Sequence, residues 1–329
     1  MENTTRLLQR QEHELANRHV LIVDNQDPAL TSQTLHAASV SIHSDTWLRG
    51  DEQWAMLPTY RPHQCLIILS LNKSLQRMQF VLHSLASQLS SAVEIWLVGP
   101  SKGGIKGALK HFDAVTEGRE LVDAARHCKL YRGKLQPISG NNSEQKFSQQ
   151  FAVNGHTFTT LPGIFNHGAL DAGSALLLKA LSEQLTPLRN GHRALDIGCG
   201  SGCLAVYLAG RGSHVTAVDI SATAVHCTTI NAARNGQQSR VSTQASDMLS
   251  EVTGRFDLIV TNPPFHDGRS RTLTMTESMI AAAPARLASN GQLWMVANRE
   301  LAYADALHKH FKRVDVVAED NRFKVYRCD

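Results

Sequence analysis

The sequence predicts two successive α/β domains, each a parallel β-sheet with helices packed across it. Three observations point there. Short apolar runs alternate with helical stretches in both halves of the 329-residue chain, the pattern of strand–helix–strand units. A polar, aperiodic segment at 134 to 150, "KLQPISGNNSEQKFSQQ", reads as the linker. The second half also carries a glycine-rich strand-to-helix turn, "ALDIGCGSGCLAVYLA", at 194 to 209. A chain of this length exceeds the usual size of one hydrophobic core, so the expected domains are 1–140 and 141–329.

Composition sets the class. At 42% hydrophobic and 19% charged, the chain reads as an ordinary soluble globular protein. The formal net charge of +4 permits an anionic partner without demanding one, because a local basic patch matters more than the total. The six cysteines show no CxxC pair and no metal-ligand spacing, and most lie in apolar runs. They read as reduced, buried thiols of a cytoplasmic protein with no metal site. The N-terminus lacks a signal-peptide core, and no run is apolar enough to span a membrane.

In the first half, His19 to Asp24, Cys65 to Leu71 and Glu94 to Gly99 read as strands. Between the last two, Leu75, Met78, Val81, Leu82, Leu85 and Leu89 recur at helical spacing. The first strand runs into "VDNQDPAL", which has no glycine. Further on, Lys102, Lys106 and Lys110 are spaced by four and share one face if that stretch is helical. Arg126, His127, Lys129, Arg132 and Lys134 follow. Two readings stay open for these cations: contact with nucleic-acid phosphates, or a solvated face.

In the second half, "FAVNGHTFTTLPG" alternates around Asn154-Gly155, a pair typical of two-residue hairpins. A helix from Ser174 to Leu185 comes next. Strands follow at 193–197, 214–219, 241–244, 256–261 and 292–297. Two more, at 313–318 and 322–327, are close enough to form a hairpin and add an antiparallel strand to the sheet. No repeat between the halves is visible residue by residue, although their similar size leaves a duplication open.

The turn at 194 to 209 places Gly198, Gly200 and Gly202 after a strand that contains Asp196. Such glycines let a backbone approach a ligand closely and adopt positive φ. The dinucleotide fingerprint GxGxxG would need a glycine where Cys203 stands. "DIGCGSG" instead resembles the DxGxGxG of class I S-adenosylmethionine (SAM) methyltransferases. That cofactor carries no phosphate for a helix N-terminus to bind, and a carboxylate such as Asp196 suits its cationic sulfonium and amino group. Asp219, at the end of the next strand, is placed to accept from both ribose hydroxyls. Asp247, after the third strand, is placed to accept from the adenine amine. A redox pair at Cys199 and Cys203 is disfavoured by its position inside the glycine turn.

The fourth strand ends in "TNPPFHDG". Two prolines remove two backbone donors, so neither strand nor helix continues through them. An exocyclic aromatic amine is a weak nucleophile because its lone pair is delocalised into the ring. Acceptors at the Asn262 side chain and the Pro263 carbonyl would hold its two N–H groups and aim the lone pair. Pro263 and Pro264 hold the carbonyl still, and Phe265 offers a face for a flipped base. His266 reads either as a substrate contact or as an ordinary loop histidine, and Asp267-Gly268 as a turn.

With "LPGIFNHGALDAGSALLL", "LDIGCGSGCLAV", "GRFDLIVTNPPFHDG" and "RFKVYR" in the second half, the chain resembles the ribosomal RNA small subunit methyltransferase C family. The first half matches more loosely, at "VGPSKGGIKGA" and "DAARHCKLYRGKL". The resemblance implies two tandem Rossmann-like class I SAM-dependent methyltransferase domains, the N-terminal one degenerate and used for folding or RNA docking. It implies methylation of guanine N2 in 16S rRNA of the small ribosomal subunit, with SAM as cofactor, by a monomer that uses neither membrane nor metal. On this reading Asp196, Gly198, Gly200, Gly202, Asp219, Asp247 and Asn262 bind SAM, and Asn262 to Phe265 serve the chemistry. Lys102, Lys106, Lys110, Arg126, Lys129, Arg132 and His266 are the candidate RNA contacts. Where relatives read Phe-Ser-Arg-Asp-Gly-Leu-Asp, this chain has "FNHGALD" at 165 to 171 and lacks the Arg-Asp pair. Alternatives are a 23S rRNA guanine-N2 enzyme, an N6-adenine or amide methyltransferase, and a silent SAM- or RNA-binding assembly factor.

Overall fold

The computed structural model describes the chain except residues 32, 48–52, 72–73, 141, 186–190, 265–268 and 302, with backbone alone at 269–272. The chain divides into two units, Met1–Ser148 and Gln149–Asp329.

The first unit runs α1 (Asn3–Gln9), α2 (Glu12–Leu15), β1 (His19–Val23), β2 (Ser39–Ser44), β3 (Gln53–Trp54), β4 (Leu66–Ser70), α3 (Leu75–Ser87), β5 (Val93–Pro100), α4 (Ile105–Asp113), β6 (Thr116–Ala125), β7 (Cys128–Leu135) and α5 (Ser143–Phe147). Its sheet has the order β3-β2-β1-β4-β5-β7-β6. The β5–β7 and β6–β7 pairs are antiparallel and the others parallel. Strand side chains alternate between two apolar layers. Leu21, Val23, Ile67 and Leu69 pack with α3 and α4, and Val20, Ile22, Leu66 and Ile68 pack with α1 and α2. Burial on both faces explains why these strands read as continuous apolar runs.

The second unit opens with the hairpin β8 (Gln149–Val153) and β9 (His156–Thr160). Asn154 and Gly155 have φ of +50° and +77° at its tip, as a primed two-residue turn requires. There follow α6 (Ala172–Gln184), β10 (Arg193–Ile197), α7 (Cys203–Gly210), β11 (His214–Asp219), α8 (Ala222–Arg234), β12 (Val241–Ala245), β13 (Phe256–Thr261), α9 (Arg269–Ala282), β14 (Leu287–Asn298), α10 (Tyr303–His310), β15 (Val314–Glu319) and β16 (Phe323–Cys328). The sheet order is β12-β11-β10-β13-β14-β16-β15, with β16 antiparallel to both neighbours. Helices α6 and α7 cover one face, and α9 and α10 the other.

Position by position the two sheets have the same strand order, and their registers align them residue by residue. Val20 pairs with Leu66 as Ala194 pairs with Leu258, and Leu66 faces Glu94 as Leu258 faces Gln292. Two residues on, Trp96 faces Arg132 as Trp294 faces Arg327. Each indole N–H donates to the side chain two residues before it, Glu94 at 2.7 Å and Gln292 at 3.1 Å. A repeat that is invisible in the sequence is therefore present in the pairing, and it supports descent by duplication. The same register sets Ile22 against Asp196, Asp24 against Gly198, Ser44 against Asp219 and Ser70 against Asn262.

One expectation is corrected: segment 134–150 is not one linker, since it holds the end of β7, all of α5 and the start of β8. The cations from 126 to 134 lie on the turn before β7 and on strand β7 itself. Its partner β6, an edge strand with the exposed residues Glu117, Arg119 and Glu120, carried no apolar signal.

Candidate active site

Strand β10 ends at Ile197, and the chain enters α7 through Gly198, Gly200 and Gly202, with φ of +74°, +53° and +82°. L side chains disfavour this region. At Gly202 a Cβ would also lie 3.0 Å from Thr228. The turn is pinned from two sides. The N–H groups of Gly198 and Cys199 donate to the Val218 carbonyl at 2.8 and 3.0 Å. From α8, Thr228 Oγ1 donates to the Gly200 carbonyl at 3.1 Å, and Asn231 Nδ2 to the Ser201 carbonyl at 2.9 Å. Asn231 also bonds both backbone groups of Thr159, at 2.7 and 2.8 Å, and so ties hairpin strand β9 to the glycine turn. Sequence reasoning missed Thr228 and Asn231. Their signal is two polar side chains three apart on the buried face of an amphipathic helix.

Asp196 is fully buried. Its Oδ2 accepts from the Ala205 N–H at 3.1 Å, in the first turn of α7, while Oδ1 has no partner among the described residues. Burial, with the Asp219 charge adding to it, pushes its carboxyl up to about 7. Asp219 ends β11 and accepts the Gly200 N–H at 3.0 Å and the Ser221 N–H at 2.9 Å. Asp247 is exposed in the turn after β12, beside a cavity of about 520 Å³ walled by Met248, Thr274, Met275 and Ser278. Met248 has φ of +51°, uncommon for a bulky residue. Cys199 and Cys203 are buried, and burial raises both thiols, which disfavours redox chemistry there.

Asn262 follows β13, whose last residue Thr261 donates from Oγ1 to the Ile197 carbonyl at 2.9 Å. The fourth strand is thereby fastened to the start of the glycine turn. A Cβ at Gly198 would lie 4.0 Å from the Asn262 carbonyl oxygen. Asn262 Nδ2 donates to Asp171 Oδ1 at 2.8 Å and to Ser174 Oγ at 2.9 Å. Its Oδ1 is buried with no partner among the described residues. Pro263 is buried and Pro264 exposed. The expectations for Phe265, His266 and the Asp267-Gly268 turn lie outside the described residues. Asp171 and Ser174 were not singled out from the sequence, because their partner is 91 and 88 residues away.

The glycine turn, Asp196, Asp219 and Asn262 thus meet at the carboxyl ends of β10, β11 and β13, where ligands bind in open α/β sheets. Asp196 Oδ1 and Asn262 Oδ1, buried without donors among the described residues, suit ligands that bring N–H groups or positive charge. The residues therefore fit SAM and an amine.

In the first unit, Lys106 and Lys110 are exposed on α4, opposite Ile105, Ala108 and Phe112. Lys102 is exposed but lies in the turn before the helix, so the shared helix face is only partly realised. Arg126 is exposed at the β6–β7 turn, and Lys129 is half-buried on β7. Arg132 is already engaged, its Nε donating to Glu120 at 2.9 Å and its Nη1 to Glu14 at 3.4 Å. These bonds weaken its case as a phosphate ligand. Among the described residues no cluster of His, Cys, Asp and Glu is arranged to hold a metal ion, and no helix is long and apolar enough to cross a membrane.

Residues 155–327 match the family described as methyltransferase small domain, and residues 5–151 its N-terminal counterpart. The chain is 46% identical over 328 residues to a ribosomal RNA small subunit methyltransferase C of Alcanivorax borkumensis, covering 100% of this chain and 99% of that protein. It is 40% identical over 260 residues to the protein of the same name from Escherichia coli K12, covering 78% and 73%. The solved T. thermophilus 16S rRNA N2 G1207 methyltransferase, in complex with AdoMet and guanosine, superposes with a TM-score of 0.81 at 23% identity, over 100% of this chain and 92% of that one. It shares the fold.

Proposed function

The chain belongs to the ribosomal RNA small subunit methyltransferase C family, and from that premise we propose that its second unit methylates the exocyclic N2 amine of a guanine in 16S rRNA. SAM supplies the electrophilic methyl group of its sulfonium. One observation carries the reading to an amine: among the described residues the Asn262 side-chain oxygen is buried without a donor, while its nitrogen donates to Asp171 and Ser174. Asn262 Oδ1 accepts one N–H of the guanine amine, and the Pro263 carbonyl accepts the other. The two bonds draw the nitrogen lone pair out of conjugation toward the methyl and stabilise the positive charge that develops on nitrogen. As the N–CH3 bond forms, the bond from that methyl to the sulfonium sulfur would break, its electron pair staying on sulfur to leave a neutral thioether, and one N–H proton leaves to solvent.

In this reading Gly198, Gly200 and Gly202 bring the backbone against the cofactor. Asp196 faces its cationic end, Asp219 accepts from the ribose, and Asp247 takes the adenine amine. Phe265 stacks on the flipped base. The first unit, with Ile22, Asp24, Ser44 and Ser70 at the register positions of Asp196, Gly198, Asp219 and Asn262, carries no equivalent chemistry and docks RNA through Lys102, Lys106 and Lys110, with Arg126 and Lys129. A ribosomal RNA substrate sets the work in the cytoplasm. One chain carries every residue named, so a single copy suffices for the reaction.

The test is nucleoside mass spectrometry on small-subunit RNA from a deletion strain, before and after incubation with the purified protein and SAM. N2-methylguanosine restored at one site supports the reading. N6-methyladenosine would transfer the mechanism to another amine, and no new methylated nucleoside would make the protein a silent assembly factor.

A further inference from the structure

We propose that Asp171, assisted by Ser174, is the positioning residue that decides which way the Asn262 amide faces. The inference rests on the reading of Asn262 as the acceptor for the substrate amine. An asparagine amide is nearly symmetric in shape, so packing alone does not choose between its oxygen and its nitrogen. Here the choice is electrostatic. Asp171 Oδ1 and Ser174 Oγ take both N–H donors of Asn262, at 2.8 and 2.9 Å. Rotating the amide by half a turn would press its oxygen against the Asp171 carboxylate and aim the NH2 at the substrate amine. Neither contact is tolerable, so Oδ1 is held in the buried position that has no partner among the described residues. A donor bond to a carboxylate also polarises the amide and makes its oxygen a stronger acceptor.

The seat is rigid and built in one short segment, "DAGS" at 171 to 174. Asp171 is the N-cap of α6, and the same Oδ1 accepts the Ser174 N–H at 3.0 Å. Between them, Gly173 is buried. A Cβ there would lie 3.2 Å from Asp171 Oδ1 and 3.4 and 3.5 Å from the two polar atoms of the Asn262 amide. A side chain there would crowd Asp171 Oδ1 by a few tenths of an ångström, and glycine leaves the pair undisturbed.

The cap and the positioning role are separable. Asp171→Ser keeps a good N-cap, but its side chain is one bond shorter and uncharged, so it no longer discriminates oxygen from nitrogen. The full-length enzyme is assayed for kcat on small-subunit RNA and for SAM affinity by calorimetry, in wild-type and Asn262→Ala backgrounds. In the wild-type background Asp171→Ser should lower kcat about tenfold, with SAM affinity and melting temperature little changed, and Asp171→Asn, whose oxygen the Ser174 N–H would hold in the acceptor position, should recover most of the loss. In the Asn262→Ala background the same change should cost nothing further, because a residue acting through Asn262 has nothing left to position. Ser174→Ala provides a second variant with the cap intact, and it should show a smaller loss with the same background dependence. Equal losses in both backgrounds, or an unchanged kcat in the first, overturn the proposal while leaving Asn262 in its role. A fully active Asn262→Ala enzyme overturns the underlying reading and the proposal together.

Discussion

Arg77 and Asp24 form a buried, two-bonded ion pair in the first unit, with Nε to Oδ2 at 3.1 Å and Nη2 to Oδ1 at 2.9 Å. Asp24 occupies the register position of Gly198 and shares its positive φ, +53° against +74°. Where the second unit has a bare glycine open to a ligand, the first has a carboxylate neutralised by its own arginine. The turn beyond it closes on itself, with Asn25 bonding both backbone groups of Asp27. At the place of the glycine turn the first unit has an internally bonded one.

Removing one partner of a buried pair leaves a charge without compensation and costs about 3–5 kcal/mol, whereas replacing both by apolar residues is often neutral. Arg77→Met should therefore destabilise the first unit by that amount in urea unfolding, and Arg77→Met combined with Asp24→Asn, an uncharged residue that tolerates the positive φ of that position, should recover much of it. An Arg77→Met protein as stable as wild type would show that the pair contributes nothing.

Asp196 carries a pH signature. Its carboxyl is pushed up to about 7, against about 3.9 in an unfolded chain. Between these values the native state holds a proton that the unfolded state has lost, so stability falls as pH rises through 7. Asp196→Asn should flatten that slope, and the difference should amount to a few kcal/mol between pH 4 and 8. A cationic ligand beside Asp196 favours the ionised form, so SAM should bind more tightly at pH 8 than at pH 6, with proton release visible by calorimetry. Affinity independent of pH would remove Asp196 from contact with the cationic end.

Asp219 joins the glycine turn to the proposed ribose contact. Losing it should cost about 1.5–3 kcal/mol of SAM binding, roughly ten- to hundred-fold in affinity. Asp219→Ala measured by calorimetry, with circular dichroism to confirm the fold, tests this. Unchanged affinity would take Asp219 out of the site.

The exposed lysines of the first unit are testable by salt. Each lost phosphate contact should lower the slope of log affinity against log salt by about one unit. Filter binding of small-subunit RNA to the Lys102/Lys106/Lys110 triple alanine variant should show weaker binding and a flatter slope, with SAM affinity unchanged. A slope identical to wild type would mean that this face is merely solvated.

What could be read from the sequence was local. Gly198, Gly200 and Gly202 betray positive φ because few other residues sit there comfortably, and the apolar runs before Asp219 and Asn262 put those side chains at strand ends. What escaped depends on distant pairing. Asp171 belongs beside Asn262 only after β13 is laid against β10, and Asn231 reaches Thr159 only when α8 packs under β9. Strand β6 escaped for a different reason: its exposed edge carries charge, so no alternation marks it. The shared register escaped because the likeness of "EIWLV" at 94 to 98 and "QLWMV" at 292 to 296 is too short to mark a repeat by itself, and the rest aligns only through the ladders.

Asn262→Ala tests the central claim most directly, because it separates binding from chemistry at one side chain. Calorimetry should find SAM affinity close to wild type, and single-turnover transfer to small-subunit RNA should fall at least about 10²-fold, the scale of removing one transition-state partner. An Asn262→Ala enzyme that transfers methyl groups at the wild-type rate would contradict the account.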